Sequence, residues 1–393
     1  MSSSVPFTLP LPAEWICTWL STSQPASGEA FPFTPDIPAI TGCQTLRQTL
    51  RISMGGKKLR LLFSNRYGTQ PLVSGESYIS VPGLFSAVPV TFNGQTGTTI
   101  PAGDIRYSDE ILLNIPPLSV ISLRTFLPEP VAVNTFHWDA RHFSLLEAGN
   151  QAIKEESGEG QTISSRLLVE SVQVQPGSAD STLVVIGDSM VDGNGVEMDT
   201  YGRWTDFLAE RFISENIAVV NAGQSGSRLL KDGIGISTLS RFERDVLHQP
   251  GVSACIVQVG LNDIGLAGTE LDPQSPVPAA DVLINAYRQL LTMAREKNIR
   301  MTGVTLVPLR GTCEYGMENF YQPEKEAVRQ EINHWIRTSG EFDTVIDSDL
   351  LVRDPACHRQ LSGQYDSGDH LHLNNAGHRL VAQSVPLSVI RAD

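Results

Sequence analysis

Ser181-Thr182-Leu183-Val184-Val185-Ile186-Gly187-Asp188-Ser189-Met190-Val191-Asp192-Gly193 is a short apolar run that breaks at a glycine into a polar turn. A run of this length, rich in β-branched residues and closed by turn residues, reads as a buried strand. Downstream the same unit recurs, with amphipathic segments in between. Strands are expected at Ser181 to Ile186, Ile217 to Asn221, Ser253 to Val259, Met301 to Val307 and Thr344 to Asp347. Helices are expected at Tyr201 to Glu215, Leu239 to Leu247, Ala279 to Lys297 and Glu324 to Thr338, the last with an apolar stripe of Val328, Ile332, Trp335 and Ile336. A closing helix opens at Asn374 and breaks near Pro386. Five strands alternating with helices predict a parallel sheet covered on both faces.

Upstream the rhythm differs. Short β-favouring runs such as Thr45 to Ser53, Lys58 to Phe63, Glu110 to Ile115 and Val120 to Phe126 are separated by turn signals. Those signals include Tyr67-Gly68, Pro82-Gly83, Asn93-Gly94 and Pro101-Ala102-Gly103-Asp104. Strands at this spacing predict an all-β sandwich. The change falls near Gly177-Ser178-Ala179-Asp180. Residues 1–178 are therefore expected to form a β-sandwich domain and residues 179–393 an α/β domain.

The 393-residue chain carries a formal charge of −14, which repels phosphate backbones and anionic headgroups and argues against nucleic-acid or membrane-surface partners. No run of about 18 apolar residues is present to span a membrane. The start of the sequence lacks the basic and apolar parts of a secretory signal, which points to the cytoplasm by default, or to secretion if a leader was removed. Cys17, Cys43, Cys255, Cys313 and Cys357 are scattered and odd in number, with no CxxC pair. They suggest neither a zinc knuckle nor a dithiol redox motif, and no cofactor is expected.

In open parallel sheets ligands bind beyond the carboxyl ends of the strands. After the first strand comes Gly187-Asp188-Ser189, a serine held on a tight turn or, equally, a helix cap. Val191 fills the place where a Gly-x-Ser-x-Gly elbow needs glycine. After the second strand comes Asn221-Ala222-Gly223-Gln224-Ser225-Gly226. The bare Gly223 N–H is a candidate donor to an oxyanion, and Ser225 a rival nucleophile. After the third come Gly260-Leu261-Asn262-Asp263, where the Asn262 amide is a second candidate donor. After the fifth come Asp369-His370-Leu371-His372, with an acid and an imidazole three residues apart. A serine hydroxyl needs such a base near neutral pH, and the carboxylate would fix its tautomer. His370-x-His372 lacks further ligands at metal spacing. His137, His142, His248, His334, His358 and His378 read as ordinary core or surface residues.

Taken together, Gly187-Asp188-Ser189, Gly223, Gly260-x-Asn262-Asp263 and Asp369-x-x-His372 resemble the four blocks of the SGNH/GDSL hydrolase superfamily over roughly Leu183 to Val385. The resemblance implies a flavodoxin-like three-layer fold. It implies Ser189 as nucleophile, His372 as base, Asp369 as its partner, and the Ser189 backbone, Gly223 and Asn262 as oxyanion donors. Arg203-Trp204, Asn221 to Gly233, Arg241-Phe242-x-Arg244-Asp245-Val246-Leu247, Glu326-Ala327-Val328-Arg329 and Tyr365 to His372 resemble a two-domain branch typified by an esterase of a xylan-degradation gene cluster. So does Thr45 to Gly68, which looks like that branch's β-domain. Met190 and Leu373 depart from the family's usual residues, Leu or Ile and Pro.

The resemblance implies a cofactor-free esterase acting on short acyl esters, with an acetylated carbohydrate as the expected substrate. A lipid, lysophospholipid or aryl esterase is the rival enzyme. A carbohydrate-binding protein with an inert hydrolase half is the rival of another class. The β-domain is expected either to bind sugar or to wall the cleft.

Overall fold

A computed structural model describes residues 14–28, 31, 33–177, 181–312 and 317–391. The expected boundary at 178/179, the chain start and Cys313 lie outside the described residues.

From Ser181 onward, five strands form one sheet: Ser181–Gly187, Ile217–Gly223, Val252–Gln258, Arg300–Val304 and Thr344–Ile346. All neighbours are parallel, and the spatial order is second, first, third, fourth, fifth. Because the first strand lies between the second and third, and crossovers of this kind are right-handed, the intervening helices fall on opposite faces. Trp204–Phe212 packs on the second strand and against Asn375–Ser384. Ala280–Glu296 packs on the fourth strand and against Pro323–Thr338. Burial from both sides explains why Leu183, Val184, Val185 and Ile186 form an unbroken apolar run, all four inaccessible to solvent.

The fold therefore agrees with the three-layer expectation. The helix expected over Tyr201 to Glu215 starts at Trp204, because the Arg203 N–H is taken by the Asp206 side chain, 3.1 Å away. The closing helix ends at Ser384, ahead of Pro386. Leu373 does not begin it; the Asn374 side chain caps it by accepting from the Ala376 and Gly377 N–H groups.

Before Val174 the described residues contain strands and turns but no helix. A six-stranded antiparallel sheet runs through Gln44–Arg51, Val120–Leu127, Ser77–Val81 and Ser144–Ala148. A second antiparallel sheet runs through Ile16–Leu20, Val169–Val174 and Gly56–Ser64. Leu46, Leu50, Ile79 and Ile121 of the former and Leu59, Leu61, Phe63 and Val172 of the latter belong to one buried core. That core continues into the parallel half. The Cys17 N–H donates to the Pro250 carbonyl (3.0 Å), the Thr182 hydroxyl to the Cys17 carbonyl (3.1 Å), and the Val219 N–H to the Ser53 hydroxyl (3.1 Å).

Two features set the edge where the first and second strands end. Arg241, 1% exposed, donates to the carbonyls of Gly187 and Ala222, each at 2.7 Å, and pairs with Asp245 at 3.1 Å. It thereby gives donors to two buried strand-end carbonyls, that of Gly187 accepting also from the Gln224 N–H at 3.0 Å. The four-residue helix Ser189–Asp192 then lies directly on Gly223: a Cβ there would stand 2.3 Å from the Asp192 nitrogen. Gly223→Ala is therefore expected to overpack this junction and to cost about 1–3 kcal/mol, visible as a lower thermal midpoint; an unchanged midpoint would mean the helix is free to move away.

Asp188 caps that helix by accepting from the Met190 N–H at 3.0 Å. Burial pushes its carboxyl up to about 7, and burial pushes Asp263 up to about 6. A raised carboxyl pKa means that the folded state holds the extra proton, so stability falls as pH rises from about 4 to about 7. Asp188→Asn keeps the cap acceptor without the charge. Its thermal midpoint, measured at pH 5 and pH 8 beside the native chain, should fall less between the two. Parallel curves would contradict this assignment.

Candidate active site

The first strand, the second strand, the third strand and the loop after the fifth converge beyond one sheet edge. The Ser189 hydroxyl stands 2.8 Å from Nε2 of His372. Nδ1 of the same imidazole is 2.5 Å from Oδ2 of Asp369. Since an ionised carboxylate only accepts, Nδ1 carries the proton and Nε2 is left to accept from the serine. Asp369 is itself fixed: Oδ1 accepts the N–H groups of Leu371 (2.9 Å) and His372 (2.8 Å) and the Ser367 hydroxyl (3.0 Å). Burial opposes ionisation of Asp369. The hydrogen bond and charge of His372, with the two N–H groups, outweigh it and hold the carboxyl well below the usual range. Asp369 thus stays ionised where a base would be needed.

The neighbouring His370 turns elsewhere. Its Nδ1 meets Asp366, whose other oxygen accepts the Gly368 N–H (2.8 Å) and the His370 N–H (3.0 Å). The two imidazoles of His370-x-His372 thus address different carboxylates.

Asn262 is the second residue of the helix turn Leu261–Gly265 and gives one amide N–H to the Ser227 carbonyl at 3.0 Å. Its second N–H has no further protein partner among the described residues. The Ser189 N–H has no protein acceptor among the described residues either. Asp263 anchors the adjoining turn by accepting from Leu229 (2.7 Å) and Leu230 (3.1 Å).

Gly223 needs correction. Its N–H donates to Oδ1 of Asn221 at 2.8 Å, so it is spent inside the strand end. Its glycine character serves the packing of the Ser189–Asp192 helix. The glycine whose N–H has no protein acceptor among the described residues is Gly226, three residues on, with φ +78°. It stands between Ser225, tied to the segment that follows Ser189, and Ser227, which holds Asn262. The sequence offers both glycines within one turn, and only the pairing of the Asn221 side chain separates them.

Ser225, the rival nucleophile, has no imidazole beside it. Its hydroxyl donates to Oδ2 of Asp192 at 2.7 Å and accepts from Nδ2 of Asn194 at 2.8 Å. Asp192 in turn meets His137 of the β-half at 2.9 Å. That contact had no local signal, since His137 lies far upstream on a strand with an unremarkable pattern.

Residues 185–380 match the model of the GDSL-like lipase/acylhydrolase family. Among solved structures, a GDSL-like lipase from Bacteroides thetaiotaomicron is similar at 14% identity, with 54% of this chain and 88% of that chain covered and a TM-score of 0.39. An acetyl xylan esterase, AlAXEase, aligns at 18% identity over 52% of this chain and 96% of its own, with a TM-score of 0.38. The psychrotrophic esterase EstA from a Pseudoalteromonas species aligns at 17% identity over 52% and 94%, with a TM-score of 0.37. Each is like about half of this chain, and the substrates those proteins are named for are their own. No curated protein gives a significant match. The parallel-sheet half, with its serine, imidazole and carboxylate at one sheet edge, belongs to the GDSL-like lipase/acylhydrolase family.

Proposed function

We propose that the protein is a serine esterase that hydrolyses short acyl esters in two steps through an acyl-enzyme on Ser189. The observation that carries this reading is the continuous hydrogen-bonded line from Asp369 through His372 to the Ser189 hydroxyl, at 2.5 Å and 2.8 Å. In the first step His372 takes the serine proton as the oxygen attacks the ester carbonyl. The negative oxygen that develops is met by the Ser189 N–H, the Gly226 N–H in place of Gly223, and the free N–H of the Asn262 amide. Such donors stabilise the transition state by about 2.7–4 kcal/mol each. Protonated His372 then gives its proton to the leaving alcohol. Water repeats the sequence on the acyl-enzyme, releasing the carboxylic acid and restoring Ser189. Residues of the chain alone supply every proton transfer.

The groups next to Ser189 are polar: Asp188 precedes it in the chain and the Asn194 N–H donates to its carbonyl at 3.0 Å, which favours a small acyl group on a polar alcohol such as a sugar over a long hydrocarbon. The β-half is read as a wall of the site rather than a sugar-binding module. Of the described aromatics Tyr107 (41%) and Phe143 (42%) are the exposed ones; Tyr107 ends the strand Ile105–Tyr107 and Phe143 lies in the loop before Ser144–Ala148 of the other sheet, so no row of exposed rings is built for stacking.

Ser189→Ala should lower hydrolysis of an aryl acetate by at least ~10³-fold, and Asp369→Asn by roughly 10²–10⁴-fold. Ser225→Ala should cost far less; the reverse ranking would transfer the nucleophile to Ser225. A series of aryl esters should peak at about two to four acyl carbons and extend to release of acetate from acetylated xylan. A maximum at long chains would replace this substrate class with lipids.

A further inference from the structure

The β-half meets the nucleophile's helix through a buried histidine. His137, at the end of the strand Thr135–His137, is 6% exposed. Its Nδ1 lies 3.0 Å from the Thr22 carbonyl and its Nε2 2.9 Å from Oδ1 of Asp192. A carbonyl can only accept, so Nδ1 carries a proton. An ionised Asp192 also only accepts, so Nε2 carries one as well. The arrangement is a buried imidazolium–carboxylate pair. Burial alone would strip that proton, but the charge and hydrogen bond of Asp192, with the Thr22 carbonyl, outweigh burial and the opposing Arg203 and raise the His137 pKa.

Asp192 is the last residue of the helix that begins with Ser189. Its other oxygen, Oδ2, accepts both the Ser225 N–H at 2.9 Å and the Ser225 hydroxyl at 2.7 Å. One carboxylate therefore joins the nucleophile's helix to the turn that carries Gly226. The same turn is gripped from the β-half twice more. The Thr22 hydroxyl donates to the Gly223 carbonyl at 3.2 Å, and Nε2 of Gln224 lies 3.3 Å from the Ser23 carbonyl. From Ser227 the turn passes to the Asn262 amide at 3.0 Å.

We propose that His137 is a positioning residue for acyl transfer: through Asp192 it fixes the Ser225–Ser227 turn, and so aims the Gly226 N–H and the Asn262 amide at the oxyanion. His137 then makes the β-half part of the catalytic apparatus without itself touching substrate. The inference rests on the reading of Ser189 as nucleophile. Its physical basis is that oxyanion donors act only when aligned with the transition state, and a displacement of about 1 Å costs on the order of 10²-fold. Removing the imidazole leaves Asp192 with a buried oxygen that has lost its charged donor, so the carboxylate that holds the turn is no longer fixed from its other side.

The test is stopped-flow acylation by an aryl acetate with saturation curves, giving the acylation rate constant and the substrate dissociation constant separately. His137→Ala should lower the acylation constant by roughly 10²-fold and change the dissociation constant by less than about threefold. His137→Gln, which keeps one donor toward Asp192, should recover part of the loss. A merely structural role would lower the thermal midpoint but leave acylation by the folded fraction unchanged. An acylation constant within about threefold of the native chain, or a loss confined to binding, overturns the proposal. If His137→Ala does not fold, Asp192→Asn takes its place: a roughly 10²-fold lower acylation constant supports the positioning role, and one within about threefold of the native chain overturns it. Ser189→Ala in the same assay keeps the two readings apart: activity without Ser189 sinks the nucleophile, whereas unaltered acylation without His137 sinks only the positioning role.

Discussion

The close seating of the Ser189–Asp192 helix on the bare backbone of Gly223 is the constraint on which the site depends. It puts two functional groups on one rigid turn. Ser189 begins the helix and meets the imidazole of His372; Asp192 ends it and meets Ser225 and His137. Arg241 reaches the strand-end carbonyls of both Gly187 and Ala222. Burying that arginine is tolerable because Asp245 compensates its charge. Arg241 thus ties the ends of the first two strands together. The N–H groups of Ser189 and Gly226 and one N–H of the Asn262 amide have no protein acceptor among the described residues.

The architecture of the parallel half was readable from the chain. Strands buried on both faces must be apolar throughout, and Leu183 to Ile186 and Ala254 to Val257 are. The long helices were equally readable, because Leu283, Tyr287, Leu290 and Ala294, or Ile332, Trp335 and Ile336, recur at the spacing of one helix face. Their ends were read only to within a few residues, because ends are set by local side-chain bonds such as Asp206 to Arg203. In the β-half the long strands showed themselves by alternation and turn residues. Pairs of two or three residues such as Thr135–His137 with Arg166–Leu167 did not, since so short a strand has no period to read.

The candidate site divides in the same way. Ser189, Asn262, Asp369 and His372 stand at strand ends, and the chain order alone brought them to notice; the fold sets Ser189, Asp369 and His372 in one hydrogen-bonded line. The choice between Gly223 and Gly226 turned on one side chain, Asn221, folding back on its own strand. The part played by His137 turned on a contact across fifty-five residues, from 137 to 192, between halves of different architecture. Periodicity and motif spacing carry no information about either. Both follow from where buried polar groups find their partners, which is a property of the folded chain.

The central claim is that Ser189 is the group that becomes acylated. Reaction of the full-length protein with a fluorophosphonate ester, followed by proteolysis and mass spectrometry, reads this directly. The account predicts one phosphonyl adduct, on the peptide containing Ser189, and none after heat unfolding of the protein. An adduct on Ser225, or a native protein that remains unlabelled while it hydrolyses an aryl acetate, would contradict it.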